Sequence, residues 1–433
     1  MGPFFFNGLH FGEKGAMLRS TGEKKLFYGY IVAAAGFSIW FLGWGTYNPC
    51  FSVFLKPLVA EFGWSRAAAS LPHSLSYIVY ALASIMMGWL TDKFGPRILI
   101  MTLGSLLGVC YLVNSQISAL WQFQLNYTLL GGISVSTLSV PVMVTISRWF
   151  EKKRGLMIGI VQAGYGIGGF IFPPFAGWLI LTYGWRHAYA VLGVITFLGI
   201  LGAGFFLRRD PKDVGQVPDG MGETVSLEKG SPSPNRAVAE LSFRKVIDTQ
   251  QFWMIFGLYC CFGFCRQAFT IHLAAHVQDL GFSLRDGANV LAVLIGSSIV
   301  SRVGMGRVGD TIGNRRAFMI SFAATTVSLI WGLAARDLWE LYLFAFIFGF
   351  GWGNQAVLRF ALTSEVFGLG SLGLIMGALG VAEAGAAAFG SYFAGYVFDM
   401  VGNYRPVFWT GIGVSMMGIL LAWWLKPAVQ KRQ

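Results

Sequence analysis

Charge is what this 433-residue chain has least of. Only 12% of its residues are Asp, Glu, Lys or Arg, 55% are hydrophobic, and the mean hydropathy is +0.60. A typical soluble domain carries about twice that charged share, so the soluble class is excluded. Between Phe27 and Leu55 there is no acid, no base and no histidine, and lysine is missing altogether between Lys245 and Lys426. The five cysteines (Cys50, Cys110, Cys260, Cys261, Cys265) all fall in apolar stretches. Cys261 and Cys265 are one helical turn apart, yet no histidine or second pair completes a metal site, so buried inert thiols are expected and no metal. No Ser/His/Asp set, HExxH motif or phosphate loop is present, which leaves little support for an intramembrane enzyme. At the N-terminus, Phe4-Phe5-Phe6 precedes the charges where a secretory signal would have it follow. Position 6 also lacks the Ser or Thr of a myristoylation signal. Met17 is as good a start as Met1, and a disordered tail is expected over 1–27.

What the chain has in abundance is apolar runs near the 20 or so residues that cross a bilayer. Twelve spans are predicted, at roughly 28–55, 67–91, 98–117, 121–147, 155–182, 187–207, 252–279, 286–309, 317–335, 339–362, 372–399 and 405–425. Fifty-seven glycines would weaken soluble helices, but in a membrane small residues bring helix backbones close, as at Gly164-Tyr-Gly166-Ile-Gly168-Gly169. The expected class is an all-α membrane protein whose partner is the lipid bilayer.

Basic residues orient the spans. With the N-terminus inside, 24 of the 32 Lys and Arg fall in inner segments, Arg307, Arg315, Arg316 and Arg359 among them. Six fall in outer loops (Lys56, Arg66, Arg186, Arg285, Arg336, Arg405), and Arg266 and Arg302 lie within spans. Both termini are therefore expected in the cytoplasm, in the plasma membrane of a cell, a bacterial inner membrane for choice. The net charge of +12 is a topology signal and no argument for nucleic acid. The polar stretch 208–250 reads as a cytoplasmic linker between six-helix halves at 28–207 and 251–425, with tails at 1–27 and 426–433.

Gly88-Trp-Leu-Thr-Asp92-Lys-Phe-Gly95-Pro-Arg97 returns as Gly306-Arg-Val-Gly-Asp310-Thr-Ile-Gly313-Asn-Arg315, both G-x-x-x-D-x-x-G-x-R after an apolar run. These hairpins, with twelve spans split six and six, resemble the major facilitator superfamily. Glu61-Phe-Gly-Trp-Ser-Arg66, Arg148-Trp-Phe-Glu-Lys-Lys-Arg154-Gly-Leu and Gly184-Trp-Arg-His-Ala-Tyr189 narrow the resemblance to the monocarboxylate transporter and oxalate/formate antiporter branch, from about Tyr28 to Lys426. It implies two pseudo-symmetric halves with a site near the midplane. It also implies a gating role for Asp92 and Asp310, with Arg97, Arg315, Arg148 and Arg154 as charged neighbours.

An ionised group in the hydrocarbon is costly, so each one needs a reason. Arg302 lies eight residues before Asp310, about 12 Å up the helix, stays charged, and offers a fork that fits a carboxylate. In the resembled branch an Arg at this spacing holds the substrate carboxylate; a structural pair with Glu383, or capping of helix carbonyls, is the alternative. Glu383 reads either as a proton carrier or as an ion-pair partner of Arg266 or Arg302, and Arg266 as its counter-ion or a second anchor. His272 and His276 share one helix face near the outer end; they, like His73, read as protonatable gate residues or as hydrogen-bonded helix residues. Tyr47 and Asn48 beside Pro49, with Gln162, Ser298 and Asn354, are candidates to line a cavity or to satisfy a neighbouring helix.

Three departures from the resembled branch matter. A Lys midway along the first span and an Asp one turn before the eighth-span Arg are replaced by Pro49 and Ser298, and no eleventh-span Lys is present to pair with Arg302. A small monocarboxylate of the lactate, pyruvate or formate type, moved with a proton by a single chain and without a cofactor, fits best. Anion exchange of the oxalate/formate type, a transport-dead sensor with the same fold, and an uncharged or cationic substrate are the alternatives.

Overall fold

In hydrocarbon no water satisfies a backbone N–H or C=O, so an apolar segment must bond within itself, and helices result. The computed structural model describes residues 27–151, 153–219, 246–367 and 372–425. In chain order the long helices are α1 (Gly29–Phe62), α2 (Arg66–Phe94), α3 (Pro96–Asn114), α4 (Leu120–Trp149), α5 (Arg154–Tyr183) and α6 (Trp185–Phe205). The second set is α7 (Gln250–Asp279), α8 (Leu284–Ile312), α9 (Asn314–Ala334), α10 (Leu338–Phe367), α11 (Leu372–Val401) and α12 (Arg405–Trp424). Among the described residues, ten of these are long and apolar enough to cross a membrane. Among the described residues no strand forms beyond a single bridge between Phe150 and Asp219. α3 and α4 each contain a π-helical turn, Ile100–Gly104 and Tyr127–Gly131.

The repeated motif acquires a backbone reason. Gly95 has φ 79° and Gly313 φ 87°, and each is the single residue between two helices. A side chain is strained at such φ, so only glycine makes so short a hairpin cheaply.

Two helices outrun their expected ends. α1 continues past Leu55 to Phe62 because the charges there find partners: Lys56 meets Asp279 at 3.1 Å, and Glu61 accepts from Trp185 Nε1 at 2.5 Å and pairs with Arg186. α10 continues to Phe367, so Arg359, already within the expected span 339–362, sits two turns before the helix end and lines the cavity, which corrects its place among the inner-segment cations. The described cysteines are unpaired, four of them buried.

Buried apolar side chains form two clusters, one drawn mainly from residues 32–207 and the other from 246–425. Glycines set the close crossings: a methyl on Gly164 would come within 2.5 Å of the Phe37 carbonyl, and one on Gly45 within 2.7 Å of Gly168 Cα. Across the clusters α5 packs on α8 and α2 on α11. Among the described residues the α2–α11 contact is tight at the end remote from residues 208–219. There Gly395 would press Ala67 at 2.9 Å, whereas Gly88, Gly377 and Gly380 near the linker end have nothing within 4 Å of an added Cβ.

Candidate functional site

Because α2 and α11 splay toward the linker end, they leave a cavity of about 760 Å³ between the two sets of helices. One wall, from α7, α8, α10 and α11, carries Arg266, Arg302, Arg359 and Glu383. The other, from α1, α2 and α5, carries Trp40, Trp44, Asn48, Tyr77, Tyr80 and Tyr165 and no formal charge.

Glu383 is shared. Its Oε1 lies 3.4 Å from Arg266 Nη2, and its Oε2 pairs with Arg359. Arg266 also donates to the Tyr77 hydroxyl at 3.3 Å, a bond that crosses between walls. Arg302 has no acid. Its guanidinium sits 5.7 Å from the ring centres of Tyr165 and of Trp352, and its buried Nε has no acceptor. Three guanidiniums thus face one carboxylate, and the one on α8 is held by ring faces alone among the described residues. A cation over aromatic faces is stabilised by about 0.5–2 kcal/mol, far less than a carboxylate provides at short range. The cavity is rich in donors and short of acceptors, which suits an anion.

On the uncharged wall the polar tips are largely tied back. Trp44 Nε1 donates to Ser139 Oγ at 2.8 Å, and Asn48 Nδ2 reaches the Tyr165 hydroxyl at 3.4 Å. Asn48 Oδ1 accepts from Gln267 Nε2 at 3.0 Å, and the same amide meets His73 Nδ1 at 3.1 Å.

The remote end is closed by a network that sequence reading missed. Asp399 of α11 accepts from the backbone N–H of Arg66 and of Ala67, each at 2.8 Å, and so covers the start of α2. Anions belong at a helix N-terminus, where free N–H groups point outward. The Arg66 guanidinium grips Asp279 at 2.5 and 2.7 Å and donates to the Tyr404 hydroxyl at 2.7 Å. Tyr404 in turn donates to His272 Nδ1 at 3.0 Å, and His272 Nε2–H donates to the Ser391 carbonyl at 2.9 Å. No spacing rule links Arg66 to Asp279 or Asp399; Arg66 had counted as an outer loop charge and as the end of the Glu61–Arg66 segment, with no partner named.

At the linker end Arg148 Nη2 pairs with Asp92 at 2.6 Å and Nη1 reaches Asp210 at 3.6 Å. Arg97 stacks over Phe205 at 4.3 Å. Arg315 caps the end of α12, donating to the carbonyls of Ala422 (2.9 Å) and Trp423. The side chains of Asp310 and Arg154 lie outside the described residues.

Several expected cavity residues sit elsewhere. Tyr47 is buried behind the wall, donating to Ser76 Oγ at 2.5 Å and stacked on His73 and Tyr127. Ser298 bonds its own helix at Ile295 and faces Gly353. Gln162 is half-buried off the cavity, and Asn354 is fully buried outside the lining with neither amide atom partnered. His272 and His276 belong to the closed remote end, His276 against Tyr404 and Phe408. Of the residues named from sequence, Arg302, Asn48, Arg266 and Glu383 come together, and Arg359 joins them. Its signal was available: it lies two turns from Trp352, on the same face.

Similarity follows the geometry. The chain is 29% identical over 363 residues to monocarboxylate transporter 13 of Rattus norvegicus, covering 83% of this chain and 80% of the relative. It is 27% identical over 350 residues to the oxalate:formate antiporter of Oxalobacter formigenes, covering 78% of each. A solved bacterial homologue of the human lysosomal transporter Spinster, inward-facing and unoccupied, superposes with a TM-score of 0.67 at 14% identity, over 93% of this chain and 95% of that one. The model of the Major Facilitator Superfamily matches residues 26–306 and 290–433. With a central cavity between two helical sets and that match over nearly its whole length, the chain is a multi-pass membrane transporter belonging to the Major Facilitator Superfamily.

Proposed function

We propose that the protein carries an organic monocarboxylate, held at Arg302, by alternating access of the cavity to the two sides of the membrane. The observation that carries this reading is an arginine in the cavity wall that, among the described residues, pairs with no acid and whose buried Nε has no acceptor. The units that rock are the halves 28–207 and 251–425, working as one chain. The linker end, rich in Lys and Arg, is placed in the cytoplasm of a plasma membrane, a bacterial inner membrane for choice, with both termini on that side. The network of Arg66, Asp279 and Asp399 is then the closed outer gate, and Asp92 with Arg148 part of the inner one.

Glu383 supports proton coupling in one specific way. Shared between Arg266 and Arg359, it is the acid in the cavity lining, and the reading gives it the role of proton carrier. Acid and proton then cross together. A second reading, anion exchange, is favoured by Arg359, which supplies a cavity cation where the sequence offered no lysine.

Proteoliposome uptake of labelled acids, with and without an inward proton gradient, tests both. Gradient-driven uptake that collapses in Arg302→Lys is the expected result, since lysine keeps the charge and loses the fork. Uptake indifferent to Arg302→Lys would make this arginine structural. Counterflow against a loaded acid that ignores a protonophore selects exchange.

A further inference from the structure

We propose that the carboxylate carried bears a flat aromatic body, an arylacetate-sized acid, in preference to a two- or three-carbon acid. The inference rests on the reading of Arg302 as the carboxylate anchor and names the substrate class at that site.

Aromatic rings form an unbroken belt along the cavity that ends at the anchor. Trp40 and Trp44 lie 6.0 Å apart, Trp44 meets Tyr80 at 5.7 Å and Tyr165 at 6.5 Å, and Tyr165 meets Trp352 at 6.1 Å. Tyr165 and Trp352 are the two rings that flank the Arg302 guanidinium. The Trp44 indole N–H is spent on Ser139 and the Tyr165 hydroxyl is met by Asn48, so these side chains present mainly carbon to the cavity. A short hydrophilic acid would be gripped at Arg302 and leave this carbon surface wet. An acid with a ring one or two bonds from its carboxylate places the charge on Arg302 and its ring among edge-to-face partners. Such ring pairs add to simple area burial, and the cavity of about 760 Å³ has room for the ring.

The test is calorimetric binding to the purified full chain in detergent, using lactate, cyclohexylacetate, phenylacetate, indole-3-acetate and the neutral 2-phenylethanol. Phenylacetate and indole-3-acetate are expected to bind about tenfold or more tighter than lactate, a step of about 1.4 kcal/mol, and tighter than cyclohexylacetate. 2-Phenylethanol is expected to bind far more weakly than phenylacetate. In Trp352→Leu the preference for phenylacetate over lactate should fall toward one, while the wild-type series stands whether or not that variant folds. Lactate binding as tightly as phenylacetate overturns the aromatic class and leaves the carboxylate anchor standing. Cyclohexylacetate matching phenylacetate also overturns it, reducing the belt to apolar bulk. 2-Phenylethanol binding as tightly as phenylacetate, or no acid binding at all, removes the anchor itself and this inference with it.

Discussion

The wall built by α7, α8, α10 and α11 carries four charges, and the wall built by α1, α2 and α5 carries none. Each ionised side chain in a membrane costs several kcal/mol unless it is paired or wetted. Gathering the arginines in one half lets two of them share Glu383, and leaves the third exposed to whatever enters. The neutral half contributes rings fixed by their own hydrogen bonds, and glycines that seat α5 hard on α1. One half therefore supplies attraction and the other shape.

The largest test of that division is Arg302→Lys against Tyr165→Phe in the same uptake assay. Losing a bidentate charge-assisted contact in a desolvated site should cut uptake about a hundredfold. Losing the Tyr165 hydroxyl, with its single 3.4 Å contact, should change uptake less than about fivefold. Equal damage from both would collapse the comparison. Next in size is Glu383→Gln, which leaves two guanidiniums without an acid. Thermal unfolding in detergent should register a loss of about 2–3 kcal/mol, partly recovered by adding Arg359→Met.

A third test moves from the walls to the two ends. Asp399→Asn removes the charge that covers the start of α2 and should weaken the remote-end closure by about 1 kcal/mol. Thiol labelling of Ser70→Cys from that side, in a chain otherwise free of cysteine, should rise severalfold; an unchanged rate would mean Asp399 holds nothing shut. The smallest effect is expected at Ser298, whose hydroxyl bonds only its own helix. Ser298→Ala should leave uptake and unfolding within about 0.5 kcal/mol of wild type.

The spans, the paired hairpins and Arg302 could be read from the sequence because hydrophobic length, a repeated motif and a charge inside an apolar run are each local signals. Asp92 and Arg148 were legible for the same reason, and the structure pairs them. Which way a helix faces was not. A helix apolar on all sides, lipid and core alike, carries little amphipathic signal to fix its rotation. Tyr47 and Asn48 are adjacent, yet Asn48 lines the cavity while Tyr47 stacks behind it. Arg359 was missed because a cation near an inner helix end is ordinarily a loop charge; its helical spacing from Trp352 hinted otherwise, and its pairing with Glu383 across α10 and α11 places it in the cavity wall. The Arg66 network joins residues more than two hundred positions apart, a distance at which one sequence is silent.

α11 carries glycines of two kinds. Gly390 and Gly395 sit against the backbones of Phe264 and Ala67, whereas Gly377 and Gly380 face open space. A glycine inside a helix costs roughly 0.5–1 kcal/mol relative to alanine, and in this shape the second pair recovers none of that. If the linker end shuts as the proposed alternating access requires, α2, with its own unoccupied Gly88, is the helix that comes up against them. One helix thus keeps the imprint of two machines, and its idle residues mark where the absent one makes contact.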